Sequence, residues 1–295
     1  MKNCLIIINQ SAGGAEKISF DYVKNRLGNR YQYTCHTIPT DGEPNTNGYE
    51  AIAVCGGDGT LTNLLAKVYD RQIDVFYFPS GTLNDKAKIK SGAKACNSPA
   101  IIGRVSGEYP TVFSYVYAAG SFTPIGYTAN VKMKKRFGVL AYLGDVLKEY
   151  KVHHISAEIE IDGKTYKDDY TLIMLLKSPR CFGFEFNKAY DEKSESGHIV
   201  LIRAPKGKGL CGKIAMFFPF FRVFFIGLKK EREGVITFKR FDSLMVKLEE
   251  KTTFCRDGER DEQSGDFKVH FVKTKCNLNI MPKTKTALNN TKTAD

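Results

Sequence analysis

At 295 residues the chain exceeds one typical domain of roughly 100–200 residues, so two domains are expected. Apolar residues make up 42% and charged residues 26%, which excludes a disordered or fibrous chain and leaves a globular one able to bury a core. The 44 basic residues outnumber the 32 acidic ones, and a net charge of +12 suits an anionic partner or simply a solubilising surface.

Eight cysteines stand at 4, 35, 55, 96, 181, 211, 255 and 276, with no CxxC pair, so neither a zinc site nor a thioredoxin-like motif is expected. Reduced thiols are the expectation. The apolar run Leu5–Ile8 is too short for a signal-peptide core, and no membrane-spanning segment is expected. The expected location is cytoplasmic, or peripheral at the inner membrane face.

In chain order, Leu5–Asn9 reads as a buried strand, and Ala15–Leu27 places Ile18, Tyr22, Val23 and Leu27 at helical spacing. Ala51–Cys55 is a strand ending in glycines, followed by a helix over Leu61–Tyr69. Val75–Phe78 is another strand closed by a Pro/Gly turn. Strand, glycine turn and helix in repetition predict a parallel α/β sheet with its ligand at the carboxyl ends of the strands. From about residue 125 the character changes. A long helix is predicted near Phe137–Tyr150, then the alternating run Ile155–Ile161, a turn at Asp162-Gly163 and resumption through Tyr166. Further strands are predicted at Tyr170–Leu176, Ile199–Arg203, Val235–Lys239, Leu244–Leu248 and Phe267–Val272. The expected fold is a three-layer α/β domain with a mostly parallel sheet over residues 1–122, with 275–284 available to complete it. A β-sandwich over 123–274 and a disordered polar tail over 285–295 follow.

Three turns carry the chemistry. Gly56-Gly57-Asp58-Gly59-Thr60 closes a strand and opens a helix. Glycines let the backbone approach a ligand closely, and successive amides with a helix N-terminus form an anion site. Asp58 would repel phosphate unless a divalent cation lay between them, which implies Mg²⁺. The same residues also suit a tight turn capped by Thr60. Pro79-Ser80-Gly81-Thr82-Leu83-Asn84-Asp85 follows the next strand, where Asn84 or Asp85 could equally cap a short helix ending near Lys90. Asn9-Gln10-Ser11-Ala12-Gly13-Gly14 closes the first strand in the same way. Three such turns on one sheet edge describe a phosphate-binding cleft. Neither GxxxxGK[ST] nor GxGxxG occurs, so a P-loop and a dinucleotide fingerprint are both excluded.

This ordered set, INQSAGG, GGDGT and then PSGTLND, resembles the catalytic domain of bacterial diacylglycerol-kinase-like lipid kinases, a family grouped with the NAD kinases and sphingosine kinases. The likeness extends through AAGSFT and KKRFGVLAYLGDVL to Asp257-Gly258-Glu259, and so covers nearly the whole chain. It implies ATP and Mg²⁺ as cofactors, bound in a cleft between the two domains. By position, the resemblance assigns Asn9, Ser11, Gly13, Thr37, Gly56, Gly57, Asp58, Gly59, Thr60, Gly81, Thr82, Asn84 and Asp85 to the nucleotide site, with Asp58 at the metal. It assigns Glu259 as the base that takes the substrate hydroxyl's proton, with Asp257 metal-proximal or as its alternate. Read without the family, Asp257-Gly258 is an ordinary hairpin turn.

The chain also departs from the family. Thr62-Asn63 stands where Asn-Glu is usual, and Thr123 where an aspartate is common. Asp191-Glu192-Lys193-Ser194-Glu195-Ser196-Gly197 replaces an Asp-Asp-Gly associated with a structural Mg²⁺. Lys213–Lys230 is rich in phenylalanine with basic flanks, which suits a membrane interface, a buried helix or a homodimer contact alike. None of the five histidines has ligand spacing. The expected function is ATP-dependent phosphorylation of a lipid alcohol such as diacylglycerol at a membrane surface. A NAD kinase-like enzyme and a non-catalytic nucleotide- or lipid-binding protein are the alternatives, and nucleic acid is not an expected partner.

Overall fold

The structure, a computed structural model, describes residues 1–89, 98–121, 152–207 and 209–281. The helix predicted near Phe137–Tyr150, Cys96, Thr123 and the tail predicted over 285–295 lie outside these residues. The chain packs as two units, Met1–Ala100 with Lys275–Asp295, and Ile101–Thr274.

In the first unit, β1 (Lys2–Asn9) pairs in parallel with β2 (Tyr31–Ile38) on one side and β3 (Ala51–Gly56) on the other. β4 (Asp74–Pro79) follows β3, and Asn277–Ile280, the end of β17 (Asp266–Ile280), pairs in parallel with β4. The order β2-β1-β3-β4-β17 makes β1 and β3 the most enclosed strands, which is why Leu5, Ile6, Ile7, Ile52, Ala53 and Val54 are apolar on both faces. The chain steps from β1 to β2 in one direction and from β3 to β4 in the other. Right-handed crossovers then place the two connecting helices on opposite faces of the sheet.

Those helices are α1 (Phe20–Leu27) and α2 (Asp58–Val68). α1 starts five residues later than its apolar spacing suggests. Ala15–Lys17 forms a 3₁₀ turn, and Ser19 accepts the Tyr22 N–H at 3.1 Å, a cap that sets the helix start. α2 begins at Asp58, inside the glycine motif and three residues before its predicted start. α3 (Asp85–Ile89) is a single short turn. Cys4, Ile6, Ile8, Ala53, Cys55 and Phe78 on one face of the sheet pack with Val23 and Leu27 of α1.

The second unit is built on β8 (Ile155–Ile161) and β9 (Lys164–Leu176), joined by Asp162 and Gly163 at φ 50° and 76°, the double positive φ of a two-residue hairpin turn. β9 is one strand where the sequence suggests two. Its polar first half pairs with β8, and β8 in turn pairs with β14 (Ser243–Leu248). Its second half pairs with β7 (Val116–Gly120) on one side and β12 (Gly197–Arg203) on the other. β13 (Ile236–Phe241) extends this second sheet beyond β12. β15 (Thr252–Arg256) and β16 (Glu259–Gln263) extend it beyond β7.

Alternation along β9 sorts the core. Ile173 and Leu175 join Ile159, Val246 and Phe254 in a layer that also takes in β8 and β14. Leu172, Met174 and Leu176 face the other way, toward Met216, Phe220 and Val223. Those three residues come from α4 (Gly209–Phe221) and the π-helical turn Arg222–Ile226 that continues it. The phenylalanine-rich segment is thus a helix with two unlike faces. Phe220 is 5% exposed and Phe218 is 68% exposed. Phe220 and Phe221, adjacent in sequence, lie on opposite faces. Phe220→Ala should therefore lower unfolding free energy by about 3–5 kcal/mol, whereas Phe218→Ala should change it by no more than about 0.5 kcal/mol. Urea unfolding of both variants checks this, and equal losses would refute the facing assigned to the helix.

Candidate functional site

Three turns meet at the carboxyl ends of β1, β3 and β4, where the strand order reverses. This is the point at which open parallel sheets leave a crevice. Asn9 ends β1. Its side-chain oxygen accepts the Ser11 N–H at 2.9 Å, and its amide nitrogen donates to Thr60 Oγ1 at 2.8 Å. The first turn is thereby fastened to the first turn of α2.

Gly56 accepts the N–H groups of Ser80 and Gly81 at 2.8 and 3.1 Å. A Cβ on Gly81 would lie 2.5 Å from the Gly57 Cα, and one on Gly13 would lie 2.8 Å from Thr82 Oγ1. Only glycine lets the turns approach this closely. Ser11, Gly13 and Thr82 are exposed, and Gly57, Thr60, Gly81 and Asn84 are partly so, whereas Gly56, Gly59 and Asp85 are buried. Asn84 takes φ 49° and donates to the Gly81 carbonyl at 2.6 Å.

Thr37 lies within β2, opposite Ile8 of β1, and so beside the end of that strand. Its N–H donates to Asp41 Oδ2 at 2.7 Å. Thr62, which stands where the family's asparagine is usual, is buried in α2, and Asn63 is exposed.

Asp58 occupies the first position of α2, where a carboxylate complements the helix dipole. It is 6% exposed. One oxygen accepts the Tyr77 hydroxyl at 3.1 Å, and the other accepts the Asp85 N–H at 2.7 Å. The residue expected to hold Mg²⁺ is therefore engaged by protein donors through both oxygens. No group of three or more His, Cys, Asp or Glu suited to a metal occurs among the described residues. These side chains do not fit a divalent cation held by the chain itself. What they hold is the second turn against the third.

In the second unit, Asp257 and Gly258 take φ 51° and 95° in the turn between β15 and β16. Asp257 is buried, and its carboxylate accepts N–H groups of Ser114, Tyr115 at 3.0 Å and Val116 at 2.8 Å. Its own N–H donates to the Val116 carbonyl at 3.1 Å. Glu259, two residues on, is exposed at the start of β16, and its carboxylate takes no hydrogen bond or ion pair from the described residues. Of the two acidic groups expected to act, one fixes the turn and the other is accessible.

The acidic stretch Asp191–Ser196 closes around Lys177, a residue the sequence did not single out. Lys177 is 2% exposed. Its ammonium donates to the carbonyls of Asp191 at 3.4 Å, Ser196 at 3.0 Å and Ser194, and lies 5.3 Å from the Tyr190 ring centre. Burial pulls its pKa from 10.5 down to about 8, against the pull of Asp191 in the other direction. Among the thiols, burial pushes Cys4 and Cys255 up to about 12, so both are inert apolar groups.

Asp58→Ala removes the acceptor of two buried donors, and the ligand-free protein should lose about 1–3 kcal/mol of stability. An unchanged urea midpoint would show that those bonds contribute nothing. For Lys177, the folded pKa lies below the unfolded one, so the folded state holds fewer protons between pH 8 and 10.5. Stability from this group therefore rises with pH across that window and is lost as pH falls through the folded pKa. Relative to Lys177→Met, the wild type should gain up to about 3 kcal/mol across it. Parallel unfolding-against-pH profiles for the two proteins would expose an error in that assignment.

Residues 3–102 match the family described as the diacylglycerol kinase catalytic domain. The chain is 21% identical over 228 residues to a Streptococcus pneumoniae protein named "Putative lipid kinase", covering 68% of this chain and 74% of that one. It is 24% identical over 172 residues to a diacylglycerol kinase of Staphylococcus carnosus, covering 54% of this chain and 55% of that one. Its fold is similar, at a TM-score of 0.65 and 15% identity, to a crystal structure titled as a "putative diacylglycerol kinase" from Bacillus anthracis, covering 95% of this chain and 97% of that one. The glycine turns of residues 9–14, 56–60 and 79–85 thus lie together inside the segment that matches the diacylglycerol kinase catalytic domain, and the chain is similar in sequence to proteins named as lipid kinases.

Proposed function

We propose that the protein is an ATP-dependent lipid kinase that transfers the γ-phosphoryl group to the hydroxyl of diacylglycerol or a related lipid alcohol. The observation that carries this reading is the fastening of three glycine-bearing turns at one crevice, within the segment that matches a diacylglycerol kinase catalytic domain. Backbone amides around Gly13, Gly57 and Thr82, with the N-terminus of α2, present donors to phosphate oxygens. Glycine at 13 and 81 lets the turns come together, since a Cβ at either would collide with the neighbouring turn.

The acceptor oxygen forms a bond to the γ-phosphorus as the bond from that phosphorus to the β–γ bridging oxygen breaks. ADP leaves, and the hydroxyl proton passes to the Glu259 carboxylate. Asp257 serves as a positioning residue, since its carboxylate is engaged by three backbone amides. Mg²⁺ enters this reading as the companion of the nucleotide, with ligands drawn from phosphate and water. The place of action proposed is a cytoplasmic membrane surface. No helix among the described residues is long and apolar enough to cross a bilayer.

The test is transfer of γ-labelled phosphate to a panel of lipid alcohols and to NAD. Label should appear in the lipid extract. Glu259→Gln should lower kcat by at least about 100-fold with the KM for ATP changed no more than about threefold. Label in NAD alone would replace this reading with a NAD kinase-like one. Nucleotide binding without transfer to any acceptor would leave a binding protein.

A further inference from the structure

α4 and the turn after it bury one face and leave the other in water. Met216, Phe220 and Val223 sit in the core, while Ile214, Phe217, Phe218, Phe221, Phe225 and Ile226 are exposed. The exposed positions recur at three- and four-residue spacing, so they form one continuous stripe along the helix. Their rings are ordered on one another. Phe217 stacks on Phe221 at 5.9 Å and Phe221 on Phe225 at 5.2 Å, with Phe218 edge-on to Phe217 at 5.6 Å. Scattered single phenylalanines on a surface need no explanation, but a contiguous aromatic stripe does.

The charge around the stripe indicates what covers it. Between Glu195 and Glu231 the sequence holds no Asp or Glu, and basic residues recur throughout. Lys206 stands before the helix, Lys213 within it, and Lys229 and Lys230 just beyond its end. A second copy of the chain laid face to face would bring these like charges together. An anionic surface with an apolar interior satisfies the rings and the ammonium groups at once.

We propose that α4 is a membrane-docking helix. It lies in the plane of an anionic bilayer with Phe217, Phe218, Phe221 and Phe225 at the boundary between headgroups and acyl chains, and with lysines against lipid phosphates. The docking does not depend on kinase chemistry, so it is measured without nucleotide and stands or falls apart from the proposed activity.

The full chain contains no tryptophan, so Phe218→Trp supplies a single reporter. Vesicles of phosphatidylglycerol with phosphatidylcholine should shift its emission to the blue, bromine-labelled acyl chains should quench it, and added salt should weaken both effects. Pure phosphatidylcholine should bind at least about tenfold more weakly. The triple variant Phe217→Ser, Phe218→Ser, Phe221→Ser should lose at least about tenfold in vesicle sedimentation, with its melting temperature held, because all three side chains are exposed. Lys229→Ser with Lys230→Ser should weaken binding to anionic vesicles only. Undiminished sedimentation of the triple variant would overturn the proposal. So would a blue shift that rises with protein concentration in the absence of vesicles, which would assign the stripe to self-association.

Discussion

A carboxylate withdrawn from water must find donors, and two that Asp58 finds lie in the next strand and the turn beyond it. One is the hydroxyl of Tyr77 in β4, and the other is the backbone of Asp85 in the turn that follows that strand. The consequence is geometric. The turn after β3 and the turn after β4 are locked together, so their backbones keep a fixed spacing. Asn9 closes the remaining side through Thr60, and the glycine at 81 lets the two backbones approach where a Cβ would lie 2.5 Å from the Gly57 Cα. A phosphate site made of backbone dipoles works by being held still before its ligand arrives. Asp58 gives the proposed site that stillness.

The second unit uses the same device in another place. Asp257 is buried in a turn with positive φ, and three amides at the start of β7 converge on its carboxylate. That convergence ties the β15–β16 hairpin to β7 and sets the direction in which Glu259 leaves the turn. An Asp-Gly turn and a functional acidic motif are therefore not competing descriptions of residues 257–259. The aspartate makes the turn, and the glutamate is what the turn displays.

Much of this was legible in the sequence, and the unread parts share physical causes. Parallel strands read easily because their enclosed residues are apolar without interruption, as in Leu5–Ile8 and Ala51–Cys55. The glycine turns read well because their residue types are dictated by backbone approach. β2 was poorly legible, since an edge strand such as Tyr31–Ile38 is half-exposed and carries no alternation. The helix start at Phe20 depended on the Ser19 cap, and the start at Asp58 lies inside the glycine motif with no side-chain cap; apolar spacing records neither. β9 was divided in two because its polar half, Lys164–Asp169, looks like a loop until β8 is beside it. The two faces of α4 were hidden by composition: with phenylalanine at six of the nine positions from 217 to 225, periodicity has little contrast. Lys177 gave no signal, because a lone lysine in an apolar strand is recognised only by the carbonyls that surround it.

Those carbonyls have a consequence for how the protein responds to its surroundings. Where an acidic loop is gathered by a free ion, its order depends on how much of that ion the cell supplies, and a chelator can undo it. Here the positive charge is carried by the side chain of the residue just past β9, and the loop from Asp191 to Ser196 folds over it through main-chain oxygens. The positive charge at this place is part of the chain, and a chelator cannot draw it off. What it answers to is the proton: burial holds its pKa at about 8, so rising pH removes a charge that the folded state keeps at a cost.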